Sequence, residues 1–159
     1  KCDSEPPVFV NTVKVQSAKD MYDAVIERAD SMDIIVKAAA VADYRPKSVS
    51  SEKVKKQDGN MSIELERTDD ILKTLGERKN GQFICGFSME TENMLENSRK
   101  KLEKKNCDMI VANNLKQDGA GFGGNTNIVT LITKDDEVQL EKMTKDEVAE
   151  KIFDFILSR

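Results

Sequence analysis

The chain has 159 residues, 38% of them apolar and 34% charged, with a formal net charge of −4; this suits one domain with a buried core and argues against a general nucleic-acid-binding surface. It contains no histidine, which removes Ser/His/Asp and Cys/His nucleophilic catalysis and most zinc sites. Cys2, Cys85 and Cys107 are odd in number and lack metal-ligand spacing, so they read as reduced thiols used as small apolar residues. No apolar run reaches membrane-span length and no signal peptide precedes the first strand. The expectation is a soluble, cytoplasmic protein.

Lys1 to Pro7 reads as a loop entering from something upstream. Val8, Val10, Val13 and Val15 predict a strand ending at Gln16. Ser17 and Asp20 form a capping-box pattern ahead of a helix whose buried face carries Met21, Tyr22, Val25, Ile26 and Ala29. Asp33 to Ala40, an apolar run closing in three alanines, predicts a fully buried central strand. After Asp43 the chain turns cationic, with Arg45, Lys47, Lys53, Lys55 and Lys56 and only Glu52 in opposition, which predicts a flexible basic loop. Ser62 to Glu66 alternates like a half-exposed strand. Thr68 then caps a helix with Asp69 and Asp70 in its first turn and Ile71, Leu72 and Leu75 on its buried face.

Phe83 to Ser88 predicts a buried strand, and Thr91 caps a helix running to about Asn106 with Leu95 and Leu102 buried. Met109 to Val111 is a further buried strand leading into Ala112, Asn113 and Asn114. A glycine-rich loop around Gly119 to Gly124 follows. Ile128 to Ile132 and Val138 to Met143 form a hairpin about Lys134, Asp135 and Asp136. Thr144 and Glu147 repeat the capping-box pattern before a last helix burying Val148, Ala149, Ile152, Phe155 and Ile156. This alternation predicts an α/β fold, a three-layer, mostly parallel sheet finished by an antiparallel hairpin and a final helix.

In such a sheet the ligand crevice lies beyond the strand carboxyl ends. Three of those ends combine small residues with polar side chains: Ala39 to Asp43, Gly86 to Thr91, and Ala112 to Asn114. Asp43 taken alone reads first as a loop cap, and the lysines at 53, 55 and 56 equally as a solvated face or as a cationic grip on a triphosphate. On the helix after Thr91, Lys101 and Lys105 border the core-facing side, whereas Lys100 and Lys104 face away. A cation near the core costs desolvation unless it meets an anion, which makes Lys101 and Lys105 the better ligand candidates. The glycine-rich loop is not a P-loop, since no Gly-Lys-Ser or Gly-Lys-Thr follows it; lid and plain connector both remain open.

Taken together and in order, "AAAVADYRP", "EKVKK", "GFSMET" and "VANN…GAGFGGNTN" resemble the bacterial phosphopantothenoylcysteine synthetase domain, from about Pro7 to the last helix. The resemblance implies a Rossmann-like fold, a homodimer, and ligation of 4′-phosphopantothenate to cysteine using CTP through an acyl-cytidylate, with Mg2+. FMN enters only if a flavin-dependent decarboxylase domain lies upstream. By motif, it implies that Ala39, Ala40 and Asp43 contact CTP, that Lys53 is catalytic within a mobile basic flap, and that Thr68, Asp69, Asp70, Ile71, Phe87, Lys101 and Lys105 surround the nucleotide. It leaves the metal ligands unassigned, while the net charge of −4 and the lack of a membrane-length apolar run argue against a nucleic-acid or membrane partner.

Two departures stand out. Asn113 and Asn114 replace the family's Asn-Asp, and Ser88 and Met89 replace Ala-Ala. The family's N-terminal glycine-rich segment has no counterpart, so residues 1–159 read as one N-terminally incomplete domain that lacks part of the active site. The alternative is a non-catalytic nucleotide-binding or dimerisation module on the same fold. A dehydrogenase reading is weaker, because no G-x-G-x-x-G opens a helix.

Overall fold

Apolar residues face both sides of three strands, β1 (Ile34–Lys37), β4 (Phe83–Glu90) and β5 (Met109–Asn114), largely buried along β4 and β5 and partly buried on β1. A computed structural model, which describes residues 6–55, 58–90, 92–114 and 124–159, arranges them in parallel, β1 against β4 and β4 against β5. Two antiparallel strands, β7 (Val129–Ile132) and β8 (Glu137–Gln139), complete the order β1-β4-β5-β7-β8.

One face is covered by α1 (Ala18–Ala29), α2 (Ile71–Arg78) and α3 (Met94–Lys104). There Ala29, Leu72, Leu75 and Leu102 pack with Ile84 and Ile110. The other face is covered by α4 (Lys145–Leu157), whose Val148, Ile152 and Ile156 meet Cys85, Met109, Val111 and Leu131. The three-layer α/β arrangement is therefore as expected.

Local chemistry sets the helix ends. Ser17 and Thr144 both make the full capping box, with Asp20 and Glu147 bonding back to the cap backbone. For α2 the cap is Asp70, whose side chain accepts from the Lys73 N–H at 3.0 Å. Thr68, expected in that role, instead donates its hydroxyl to Ala42 O at 2.6 Å. Thr91 lies outside the described residues; α3 begins at Met94 behind Asn93, a left-handed residue with φ 49°.

Several expectations fail for one reason, that burial depends on neighbours far along the chain. Val8, Val10 and Val13 are exposed and no strand forms over residues 6–17, because no described strand pairs with them. β1 is an edge strand, half-buried rather than central, and Ala38 to Ala40 beyond it are exposed. Leu95 and Ala149 are exposed, and Ser98 takes the buried place on α3.

The start of the basic loop is ordered into β2 (Tyr44–Pro46), paired antiparallel with β3 (Leu65–Arg67). Arg45 bonds Glu66 at 2.8 Å and Lys47 bonds Glu64 at 2.7 Å, so part of that loop's charge is matched across the strands. Two short strands, β6 (Thr126–Asn127) and β9 (Met143–Thr144), pair near the start of α4. Lys56 and residues 115–123, most of the glycine-rich loop, lie outside the described residues.

At the amino end of the sheet, Asp108 Oδ2 accepts from the Ile84 N–H at 2.7 Å, and its Oδ1 is bonded by Lys79 at 2.6 Å. The Asp108 N–H in turn donates to Ile84 O at 2.9 Å. This carboxylate ties β4 to the entry of β5, at the end of the sheet remote from the strand carboxyl ends.

The tightest contact lies between helices. A β-carbon on Gly76 would stand 1.9 Å from the Lys105 carbonyl oxygen, and one on Gly86 would stand 2.7 Å from Leu72 Cδ2. Backbone cannot retreat as a side-chain tip can. Gly76→Ala is therefore expected to lower stability by about 1–3 kcal/mol or more and Gly86→Ala by less, read from denaturant unfolding midpoints. The reverse order would contradict this packing. Burial pushes the Cys85 thiol up to about 12 and the Cys107 thiol up to about 11. A thiol reagent at pH 8 should label these two only as fast as the protein unfolds, as mass mapping of the labelled cysteines will show.

Candidate functional site

Beyond the carboxyl ends of β1, β4 and β5 the structure opens into a cleft of about 890 Å³, the position at which open α/β sheets bind ligands. One wall is the β1 exit, Ala38 to Val41 with Asp43 and Tyr44. It is joined by the approach to α2, from Arg67 to Leu72. These two segments are stapled together: besides its hydroxyl bond to Ala42 O, Thr68 donates its N–H to Asp43 O at 3.0 Å.

Phe87, Met89 and Asn113 line the cleft at the ends of β4 and β5, with Met89 and Asn113 adjacent in register. Asn127, Lys145, Val148, Ala149 and Ile152 close the side nearest α4. Asn113 Oδ1 is buried, and among the described residues it has no hydrogen-bond partner.

Among the described residues five cations line the cleft, Lys37, Arg67, Lys101, Lys105 and Lys145, and three of the lysines have contacts that place them. Lys101 and Lys105 stand one turn apart on α3 and its C-cap. Lys101 Nζ donates to Phe87 O at 2.8 Å, and Lys105 is ion-paired with Asp70. The third, Lys37, ends β1 and donates to Ala39 O at 2.7 Å. Burial pulls the Lys37 ammonium below the ordinary lysine value, and the charge of Lys101 adds to this, while Asp70 and Asp43 oppose it. Burial pushes Asp70 upward. The Lys105 and Lys73 hydrogen bonds and the nearby lysine charges outweigh that, and hold the carboxyl below its usual range.

Every residue expected to contact the nucleotide lines this one cleft except Lys53. Ala39, Ala40, Asp43, Thr68, Asp69, Asp70, Ile71, Phe87, Lys101 and Lys105 converge from four separate stretches of chain. Lys53 is exposed, as is Lys55, and neither is among the lining residues. The sequence reading missed Lys37, Arg67, Asn127 and Lys145. Lys37 carried a usable signal, a cation at the core-facing end of an otherwise apolar strand; the others come together only through the β2–β3 and β6–β9 pairings.

Chemically the cleft suits a polyanion with an apolar or planar part. It offers ammonium groups, backbone near small residues, and the Phe87 and Ile71 side chains. Cys85 and Cys107 are buried with raised thiols and are not placed to act as nucleophiles. Among the described residues no group of three or more His, Cys, Asp or Glu could hold a metal by itself, and no helix is long and apolar enough to cross a membrane.

Comparison with known proteins places the fold. Residues 1–159 match the family described as the DNA/pantothenate metabolism flavoprotein C-terminal domain. The chain is 53% identical over 131 residues to the coenzyme A biosynthesis bifunctional protein CoaBC of Bacillus subtilis (strain 168), an alignment covering 82% of this chain and 32% of that protein. The crystal structure of the C-terminal domain of a CoaBC superposes with a TM-score of 0.79 at 47% identity, over 99% of this chain and 72% of the other. A Cab2 mutant in complex with phosphopantothenate-cysteine shares the fold, with a TM-score of 0.62 at 19% identity over 80% of this chain and 45% of the other. The chain spans about a third of the length of the Bacillus relative. With a whole-length family match and this likeness in sequence and fold, the chain belongs to the DNA/pantothenate metabolism flavoprotein C-terminal domain family.

Proposed function

We propose that the protein carrying this chain ligates 4′-phosphopantothenate to cysteine, with CTP as the activating nucleotide, in coenzyme A biosynthesis. The observation that carries the reading is the convergence of Asp43, Asp70, Phe87, Lys101 and Lys105 on one cleft at the strand carboxyl ends. Likeness to CoaBC supports it.

The chemistry follows from charge. The substrate carboxylate is ionised at neutral pH, so one of its oxygens can attack the α-phosphorus of CTP without a histidine base. That forms the acyl-cytidylate and expels pyrophosphate. Repulsion between the carboxylate and the triphosphate is the main obstacle, and cleft lysines lower it by holding phosphate oxygens. The cysteine amine then attacks the acyl carbon, CMP leaves, and the amine loses a proton.

Small residues at Ala39 and Ala40 let the nucleotide approach the backbone. Asp43 accepts a hydrogen bond from it, and Phe87 packs against its planar part. A magnesium ion brought with CTP would neutralise phosphate charge. Asp43 and Asp69, the lining carboxylates besides the Lys105-paired Asp70, are the residues that would hold it with phosphate oxygens, which is the donor set such an ion prefers. Lys53 belongs to this reading as a residue of a flap that closes over bound substrates, and the working unit is a cytoplasmic homodimer.

In the full-length protein, Lys101→Met and Lys105→Met should each weaken CTP binding about tenfold or more in calorimetric titration, as expected for loss of a charge-assisted contact worth ~1.5–3 kcal/mol. Lys53→Gln should abolish acyl-cytidylate formation in a single-turnover assay. Unchanged turnover would remove Lys53 from the site. Binding of NAD in preference to CTP would instead support a nucleotide-sensing module without ligase activity.

A further inference from the structure

Lys37 occupies the last position of β1, on the same face of the strand as Ile35, which packs into the core beneath α1 and α2. A cation at a half-buried, core-facing position is costly unless an anion compensates it. Among the described residues, the only hydrogen bond Lys37 Nζ makes is to a neutral acceptor, Ala39 O at 2.7 Å, and an ammonium has two further donors.

Its neighbours sharpen the imbalance. The charged groups around Lys37 are Lys101 and Lys105 from α3, Asp70 from the α2 cap and Asp43 from the β1 exit. Of these, Asp70 is engaged by Lys105. Among the described residues Lys101, like Lys37, bonds only a main-chain carbonyl, Phe87 O. Since Lys37 and Gly86 are register partners on β1 and β4, Lys37 sits directly across from the residue preceding Phe87. Two ammonium groups, one at the end of β1 and one reaching β4 from α3, are thus each held by a carbonyl and, among the described residues, neither is ion-paired; both line the cleft. That is a preformed anion site.

We propose that Lys37 is a binding residue for the polyphosphate of the nucleotide, gripping it jointly with Lys101 while the bond to Ala39 O holds its ammonium in place. The inference rests on the nucleotide reading of the cleft and adds a residue to it. The lowered proton affinity of Lys37, caused by burial and then by Lys101, agrees with an ammonium whose counter-charge is supplied by a ligand. A purely structural Lys37, present only to fix the alanine turn, would need no net charge.

Lys37→Gln separates the two roles, because glutamine keeps an N–H donor for Ala39 O and removes the charge. With the full-length protein, calorimetry would use CTP, CMP and inorganic tripolyphosphate, each at two salt concentrations. The expected result is a tenfold or greater loss of affinity for CTP and tripolyphosphate in Lys37→Gln, with CMP within twofold of wild type, a weaker salt dependence, and recovery to within threefold in Lys37→Arg. Equal losses for CTP and CMP, or no loss, would overturn the inference while leaving the ligase reading intact.

If wild type binds tripolyphosphate but shows no preference for CTP over ATP, the ligase reading fails while the tripolyphosphate arm still decides the role of Lys37. Binding of neither overturns both. Should Lys37→Gln not fold, acetic anhydride labelling of the wild-type protein replaces it. Tripolyphosphate must protect the Lys37 amine at least fivefold, and equal labelling with and without it would overturn the inference.

Discussion

Gly76 admits the carbonyl of Lys105 to within 1.9 Å of where a β-carbon would stand, and the geometry of the cleft depends on that approach. Asn106, turned back by a φ of 50°, donates its amide to Gly76 O at 2.8 Å and fixes the crossing from the other side. From Gly76 to Asp70 is about 9 Å along the axis of α2, a span that the Lys105 side chain can bridge only if its own backbone already lies against the helix. The ion pair between Lys105 and Asp70 is therefore a product of backbone packing, and the same carboxylate caps α2. One missing side chain places a helix, a cap and a cleft lysine together.

What could be read from the chain beforehand was local. Ser17 with Asp20 and Thr144 with Glu147 mark helix starts because each pair bonds within four residues, and both boxes form. Lys101 and Lys105 separate from Lys100 and Lys104 by helical angle alone, and the structure keeps that division, with Lys100 paired outward to Glu96. Crevice residues after β1 and β4 were legible because parallel sheets place ligands at strand exits, although the exact set came from motif likeness.

What could not be read depended on distant partners. Val8, Val10, Val13 and Val15 supply β-branched residues enough for a strand, yet propensity does not supply a neighbour, and Val8, Val10 and Val13 stay exposed. β1 is apolar but for its closing Lys37 and is nonetheless an edge. Arg45 and Lys47 seemed part of an unopposed basic run, because Glu66 and Glu64, which meet them, lie 21 and 17 residues further on. Thr68 lost the cap of α2 to Asp70 because its hydroxyl is engaged by Ala42 O, a contact made possible by the β2–β3 pairing.

Asp108 holds β4 and β5 in register from the amino end, through Ile84 and Lys79, while the cleft opens beyond the carboxyl ends, its walls completed by α3 and α4. Such a division of labour makes the scaffold evolvable. The turn from Ala38 to Asp43 can vary in size and polarity, and with it the shape of the cleft, without renegotiating strand alignment that is secured at the opposite end of the sheet. A lineage could exchange one ligand for another by small steps at one end and remain folded throughout by virtue of the other.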